Sequence, residues 1–207
     1  MPSTVTRLFE SVGLSVGGCV QWKTPIPVRA SGVYVVSISD DPSRGNGLLR
    51  RAPVDPSAVG AWLGRVPSLR IDGAKCVGAD ELCHRLASFW LSDENIVYIG
   101  KATSLRSRVG DYYRTPLGEP RPHAGGHWVK TLSCLPILRV YFRETSAYEA
   151  AEQSLLGAFM QGASNTARKS ILDPSLPIPF ANLEFPAGIR KKHGISGSKL
   201  SRGHPAQ

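Results

Sequence analysis

The stretch NIVYIGKATSLRSRVGDYY, residues 95 to 113, decides the fold. Its first six residues form a compact apolar run that is typical of a buried strand, and Gly100 ends that run. From about Ser104 to Tyr113, apolar side chains return at helical spacing. The stretch therefore predicts a strand, a glycine turn and a helix in immediate succession.

Further regular elements are predicted on both sides of this stretch. Upstream, GVYVVSIS at residues 32 to 39 has the apolar, β-branched composition of a strand. Between the two strands, SAVGAWLGRV at residues 57 to 66 and ADELCHRLASFWL at residues 79 to 91 carry apolar residues at helical spacing, which predicts two helices. Downstream, we expect a third strand from Ile137 to Arg143 and a helix from near Ser146 to near Gly162.

The charge of the chain indicates a polyanionic partner. Lys and Arg outnumber Asp and Glu by 25 to 16, which gives a formal net charge of +9. The sequence pI is about 9.7. A protein of this profile is suited to nucleic acid or to an acidic membrane surface, and charge alone does not separate DNA, RNA and membrane.

The cysteines and the N-terminus indicate the cellular compartment of the protein. Cys19, Cys76, Cys83 and Cys134 form no pair with zinc-knuckle spacing, and the first ten residues lack the apolar core of a signal peptide. Nowhere does the chain carry about 18 consecutive apolar residues. We therefore expect a soluble cytoplasmic protein with free thiols and no membrane span. Nothing in the pattern indicates an oligomeric state.

Two short motifs carry a resemblance to a known family. Gly32-Val33-Tyr34 and Tyr98-Ile99-Gly100 resemble the paired signature of the GIY-YIG nuclease superfamily. From Tyr98 to Tyr113 the chain is similar throughout to a segment in the nuclease domain of the bacterial nucleotide-excision-repair incision subunit. The resemblance covers roughly residues 30 to 40 and 95 to 185.

The resemblance implies a fold and a division of the chain. The expected fold is α/β (α+β), with a small antiparallel sheet of three strands flanked by helices. Residues 30 to 187 would form the nuclease domain, and residues 40 to 94 would be a helical insertion in place of the family's short hairpin loop. Residues 1 to 29 read as an irregular N-terminal extension. Residues 188 to 207 are basic with no apolar stripe, which predicts a mobile tail.

An arginine is the first candidate catalytic residue beyond the tyrosines. In the family, the arginine ten residues after the second-motif tyrosine is catalytic, and Arg108 stands at that distance from Tyr98. The spacing also has a structural interpretation that does not depend on the resemblance. On a helix that begins near Ser104, Arg108 shares a face with Leu105 and Tyr112, beside the core-facing stripe.

A glutamate is the candidate metal ligand. In TSAYEAAEQSLLGAF, residues 145 to 159, Glu152 falls within the apolar stripe of a helix, where an ionised carboxylate needs a cation, a hydrogen bond or a metal. The pair Leu155 and Leu156 after it resembles the family segment whose glutamate binds the catalytic divalent ion. Glu149, one turn earlier, is the competitor and reads as a solvated residue. The implied cofactor is Mg²⁺ or Mn²⁺.

The remaining site residues follow from the resemblance and from local chemistry. The family completes its active site with an asparagine after this helix, for which Asn182 in PFANLEF is preferred over Asn165. Tyr34 and Tyr98 would handle the proton. The candidates for contact with substrate are Gly100, Lys101, Arg106, Arg114, and the loop histidines His123 and His127.

The expected function is a metal-dependent endonuclease that hydrolyses DNA phosphodiester bonds, in DNA repair or in restriction. The alternative is a catalytically inactive nucleic-acid-binding module on the same fold. If the enzyme reading holds, Tyr34 and Tyr98 should lie on neighbouring strands with their hydroxyls on one face of the sheet. Arg108 and Glu152 should then converge on that same face from two helices.

Overall fold

A computed structural model describes residues 4–122, 126–186 and 188–200. The helices are α1 (Val5–Glu10), α2 (Pro56–Arg65), α3 (Ala79–Ala87), α4 (Leu105–Arg114), α5 (Tyr148–Gly162) and α6 (Asn165–Ser170), with 3-10 helices at His127–Thr131 and Leu135–Ile137. The strands are β1 (Gly18–Gln21), β2 (Gly32–Ser37), β3 (Arg70–Ile71), β4 (Ala74–Lys75), β5 (Ile96–Ala102), β6 (Arg139–Glu144), β7 (Glu184–Phe185), β8 (Ile189–Arg190) and β9 (Ile195–Ser196). Across these ranges, no helix is long and apolar enough to cross a bilayer.

The main sheet is antiparallel and has the strand order β1-β6-β2-β5. The predicted class, antiparallel sheet with flanking helices, is confirmed, but the sheet has four strands where three were expected. The fourth, β1, lies in the segment that was read as irregular because glycine weakens strands. Gly18 is needed there, since a Cβ at that position would lie 2.5 Å from Cζ of Phe142 on the neighbouring strand.

Both faces of the sheet are covered, so β2 at its centre is buried along its whole length. Val33 and Val35 pack into a core cluster with α1, α5 and α6. Tyr34 and Val36 pack into a second cluster with α4 and the helices of the insertion. Two-sided burial explains why the sequence of β2 is a continuous apolar run with no polar alternation.

The insertion adds its helices to the second cluster. The two predicted helices are confirmed as α2 and α3, and Trp62 and Trp90 are core residues that are 1% and 5% exposed. Between the helices lies a small β3–β4 hairpin, where the sequence indicated only turns. Asp72 and Gly73 both have positive φ at its turn, as expected of an Asp-Gly pair in a tight hairpin.

The basic segment after residue 188 docks on the domain, which corrects the expectation that nothing in it would. β9 pairs with β3 of the insertion, and Ile195 joins the second core cluster. Lys191 is 4% exposed, and its Nζ donates to the carbonyl oxygens of Pro179 and Phe180. The segment docks through single buried side chains and backbone pairing, which leave no apolar period in the sequence. Residues 201–207, including Arg202, lie outside the described residues.

Candidate active site

The two motif tyrosines lie side by side on neighbouring strands, as predicted. Tyr34 on β2 lies opposite Gly100 on β5, and the ring centroids of Tyr34 and Tyr98 are 5.9 Å apart. A Cβ at Gly100 would lie 2.7 Å from Cζ of Tyr34 and 2.7 Å from Cε1 of Tyr98. Gly100 is therefore required to let the two rings meet. Its predicted contact with substrate stays a prediction.

The register of β2 and β5 sets which side chains reach the site. Tyr34 pairs with Gly100, and Val36 pairs with Tyr98. Because side chains two residues apart on a strand lie on one face, Tyr98 lies on the same face as Tyr34. A β-bulge follows at Val97, beyond this pair, and leaves the face of Tyr98 unchanged. Lys101 then points to the opposite face, which is covered by α5.

Glu152 meets Lys101 at this edge of the sheet. Glu152 Oε2 lies 3.2 Å from Lys101 Nζ, and the Glu152 side chain is only 15% exposed. Glu149 Oε1 lies 3.8 Å from the same nitrogen, but its side chain is 74% exposed. The preference for Glu152 over Glu149 as the inward carboxylate is thus matched by their burial.

Arg108 approaches from the other side of the sheet. It lies on α4, which packs through Leu105 and Tyr112 on the tyrosine face, whereas α5 packs on the opposite face. This corrects the expectation that Arg108 and Glu152 reach one face of the sheet. They come from opposite faces to the edge strand β5, where Arg108 is close enough to Glu152 to lower its pKa.

The ionisation of the site follows from burial. Burial raises the pKa of Glu152 above its usual range, and Lys101 and Arg108 counteract that rise. Burial and then the Glu152 carboxylate raise the pKa of Tyr98 to about 12. Burial also raises the pKa of Tyr34, whose hydroxyl has no hydrogen-bond partner among the described residues, although Tyr98 is near enough to add to the shift. At neutral pH both tyrosines keep their protons.

Asn182 fastens the edge of the sheet. It is 6% exposed, its Oδ1 accepts from the N–H of Ile99 at 2.9 Å, and its Nδ2 donates to the carbonyl of Ile99 at 2.8 Å. Next to it, the N–H of Ala181 donates to the carbonyl of Val97 at 2.9 Å. Both ends of the Asn182 amide are engaged with the backbone of β5. This geometry favours a positioning role for the residue, beside the Tyr98 that it flanks.

These residues surround one cleft of about 490 Å³. The polar side chains that line it include Tyr98, Lys101, Glu152, Asn182, Glu184 and Lys199. Tyr34 lies behind Tyr98, and Arg108 is exposed on α4. The structure thus brings the predicted tyrosines, lysine, glutamate and asparagine together at one edge of the sheet.

The other predicted contacts divide into three cases. His123 lies outside the described residues. His127 is 5% exposed and lines a neighbouring pocket rather than this cleft. Arg106 and Arg114 are exposed on α4, and Arg114 pairs with Asp111 at 2.5 Å. A role for these two arginines in holding DNA stays a prediction.

The side chains of the cleft suit Mg²⁺ or Mn²⁺ only as part of a coordination shell that water and substrate complete. Among the described residues, no group of three or more His, Cys, Asp or Glu could hold an ion, so an all-protein cage does not fit. Mg²⁺ commonly takes one or two carboxylates and completes its shell with water and substrate phosphate oxygens. Glu152, half-buried at the wall of an open cleft, fits that mode as the protein ligand.

Sequence reasoning missed two residues at the site. Tyr112 packs its ring against Tyr98 with centroids 5.6 Å apart and donates its hydroxyl to the carbonyl of Gly126 at 2.8 Å. Its place on the core-facing stripe of α4 was visible, but its link to the loop was not. Lys199 lines the cleft from the docked C-terminal segment. No local pattern marks it, because only the docking of that segment brings it there.

Comparisons with known proteins provide no relative for this arrangement. No family model matches the chain, and no curated protein and no solved structure gives a significant match. What the chain does therefore has to be inferred from the chemistry of the cleft.

Proposed function

We propose that the chain is a metal-dependent endonuclease that hydrolyses DNA phosphodiester bonds through a GIY-YIG-like active site. One observation carries the proposal. Tyr98, Lys101 and Glu152 line a single cleft, with Tyr34 directly behind Tyr98 and Arg108 close enough to act on the ionisation of Glu152. Hydrolysis of a phosphodiester needs cations for the developing charge, an oriented water and a proton carrier, and these residues supply groups for each need.

Glu152 would hold the divalent ion, and when bound the ion supplies stabilisation of phosphate charge and a water of lowered pKa. Burial raises the pKa of Glu152, and the ion pair with Lys101 favours the ionised carboxylate, because Lys101 is the largest influence that opposes the rise. A carboxylate held in that state is ready to accept a cation. Lys101, 39% exposed at the cleft, can then turn to a phosphate oxygen of the substrate.

The other residues act on charge and on the proton. Arg108 is exposed and cationic beside the tyrosines, a position from which its guanidinium can stabilise negative charge on the attacked phosphate. Tyr98 and Tyr34 keep their protons at neutral pH because burial raises the pKa of each. Their hydroxyls can therefore donate hydrogen bonds and relay a proton, with Tyr98 nearer the cleft.

Charge supports a nucleic-acid substrate over a small phosphate ester. The chain carries a net charge of +9. Lys199, which is exposed, lines the cleft, and Arg108 is close enough to Glu152 to lower its pKa. Arg106 is exposed on the same helix as Arg108. Contacts with several successive phosphates require cations spread over a surface, which a small ester would not use.

The test compares two glutamates on one helix. Supercoiled plasmid is incubated with Mg²⁺ or Mn²⁺ and the wild-type chain, Glu152→Ala or Glu149→Ala. We expect Glu152→Ala to lower the rate of cutting by at least about a hundredfold while binding DNA as tightly as the wild type. Glu149→Ala, which removes a carboxylate one turn away that is largely exposed, should cut at the wild-type rate.

Two results would overturn the proposal. If Glu152→Ala cuts as fast as the wild type, the ligand assignment is wrong. If the wild-type chain binds plasmid, single-stranded and branched DNA but cuts none of them with either ion, the chain is a nucleic-acid-binding module that lacks catalysis.

A further inference from the structure

A second pocket of about 320 Å³ adjoins the active-site cleft. The two share three lining residues, Leu183, Glu184 and Lys199, so a ligand can extend from one into the other. The pocket is also lined by Trp62, His127, Trp128, Arg190 and His193. Aromatic rings thus form its inner wall, and cationic side chains stand at its mouth.

His127 presents an unused hydrogen-bond acceptor in this pocket. The side chain is 5% exposed, and its Nε2 is buried without a partner among the described residues. Burial lowers the pKa of His127 to about 4, and the backbone of Glu119, which can accept a proton from the ring, only partly opposes that shift. The ring is therefore neutral at physiological pH, with a lone pair on Nε2. A buried acceptor of this kind is normally satisfied, and because His127 lines the pocket, a ligand bound there can supply the donor.

The lining selects the chemistry of that ligand. It has to offer an N–H to the lone pair of His127, so a bare phosphate or carboxylate does not fit. It has to be flat and apolar enough to enter beside the rings of Trp62, Trp128 and His193. It should also carry negative charge outside the pocket, where Lys199 is exposed and Arg190, whose Nε lies 3.4 Å from Glu184 Oε2, can exchange that carboxylate for a phosphate. A nucleobase attached to its phosphates meets all three conditions.

The size of the pocket excludes paired DNA. A space of about 320 Å³ admits one nucleobase but not a base pair, and a base inside a duplex has its Watson–Crick N–H groups engaged. We propose that this pocket takes one unpaired nucleobase of the DNA strand held in the adjacent cleft. The inference rests on the proposed function and narrows its substrate to DNA with an unpaired nucleotide beside the scissile phosphate.

The first experiment measures binding without cleavage. Two fluorescein-labelled duplexes, identical except that one carries a single unpaired nucleotide, are titrated with protein in EDTA and followed by anisotropy. We expect the wild type to bind the DNA with the unpaired nucleotide about tenfold more tightly than the paired duplex. His127→Phe keeps a ring in the pocket but removes the acceptor, and should abolish most of that preference. His84→Phe, the same exchange at an exposed position on α3, should retain it.

The second experiment needs no variant, so it decides even if His127→Phe fails to fold. The unpaired nucleotide is replaced by iododeoxyuridine, the complex with wild-type protein is irradiated, and the cross-linked peptide is mapped by mass spectrometry. We expect the cross-link at Trp62, Trp128 or His193. A cross-link elsewhere, or none above the level of the paired duplex, overturns the proposal.

The outcomes separate this inference from the proposed function. Equal affinity for the two duplexes, or a preference that survives in a folded His127→Phe variant, removes the base pocket but leaves Glu152-dependent cutting intact. Tight binding of the unpaired nucleotide with a mapped cross-link, in a chain that never cuts DNA, removes the nuclease but leaves the pocket.

Discussion

Asn182→Ala tests whether the asparagine fastens the edge strand. The substitution removes two buried hydrogen bonds, to the N–H of Ile99 at 2.9 Å and to its carbonyl at 2.8 Å. A buried backbone group left without a partner costs about 1–3 kcal/mol. Two such groups, one of them reachable by water because Asn182 lines the cleft, lower the free energy of unfolding by about 2–4 kcal/mol.

The chain offers a matched control in its other candidate asparagine. Asn165 is the first residue of α6 and is exposed, so Asn165→Ala should change the free energy of unfolding by less than about 0.5 kcal/mol. Urea unfolding followed by tryptophan fluorescence measures both variants. Because a domain of this kind is stable by about 5–15 kcal/mol, Asn182→Ala should stay folded in buffer and can also be assayed for cutting.

Asn182→Asp separates the two hydrogen bonds. The aspartate can still accept from the N–H of Ile99, but it turns an acceptor toward the carbonyl, so we expect a loss at least as large as that of the alanine variant. The reasoning is refuted if Asn182→Ala unfolds within about 0.5 kcal/mol of the wild type. It is also refuted if Asn165→Ala is equally destabilised.

Three further outcomes are expected. Gly100→Ala would place a methyl group 2.7 Å from ring atoms of both motif tyrosines. It should lower the free energy of unfolding by about 1–3 kcal/mol and remove most of the cutting activity. Gly157→Ala, in the open middle of α5, should raise the free energy of unfolding slightly in urea. Burial lowers the pKa of Lys191 to about 7 from 10.5, so its penalty is complete below pH 7 and is relieved as pH rises toward 10. Stability against urea should therefore rise over that range by up to about 1.4 kcal/mol per pH unit, and Lys191→Met should lack this rise. Truncation after Gly188 removes Lys191 and Ile195 from the core and should lower the melting temperature by several degrees. An unaltered melting temperature would show that the docked segment contributes nothing to stability.

Local pattern predicted the main elements of the fold. The apolar runs of β2 and β5 and the helical spacing of α4 and α5 are each contained in a short window, and the structure places each within a few residues of its predicted bounds. β1 was not predicted because Gly18 has a low propensity for strands. Glycine suits the position only because the ring of Phe142 on the neighbouring strand leaves no room for a Cβ. The Asp72-Gly73 turn of the β3–β4 hairpin did carry a local signal, which turn chemistry could have identified.

The candidate site was predictable in composition and less so in geometry. Arg108 and Glu152 were found by resemblance and by their places on helix stripes, and both lie at the edge of β5 as the expected site requires. That they come from opposite faces depends on the packing of the helices, with α4 on the Tyr34 face of the sheet and α5 on the other face. The packing of a helix on a sheet depends on segments distant in sequence, so no single window of sequence shows it. Lys199 was missed for the same reason, because it reaches the cleft only when a segment distant in sequence docks on the domain.

The position of β5 explains why the C-terminal segment is docked. Under the proposed function, the tyrosine that reaches DNA lies on an edge strand, and the outward N–H and C=O groups of an edge strand need partners. Here Ala181 and Asn182 provide them for Val97 and Ile99. Lys191, buried against aromatic rings, binds the two carbonyls just before Ala181. The loop that closes the edge is therefore itself held by the C-terminal segment. A change at Lys191 should reach Tyr98 through two successive sets of hydrogen bonds, first to the loop and then from the loop to β5.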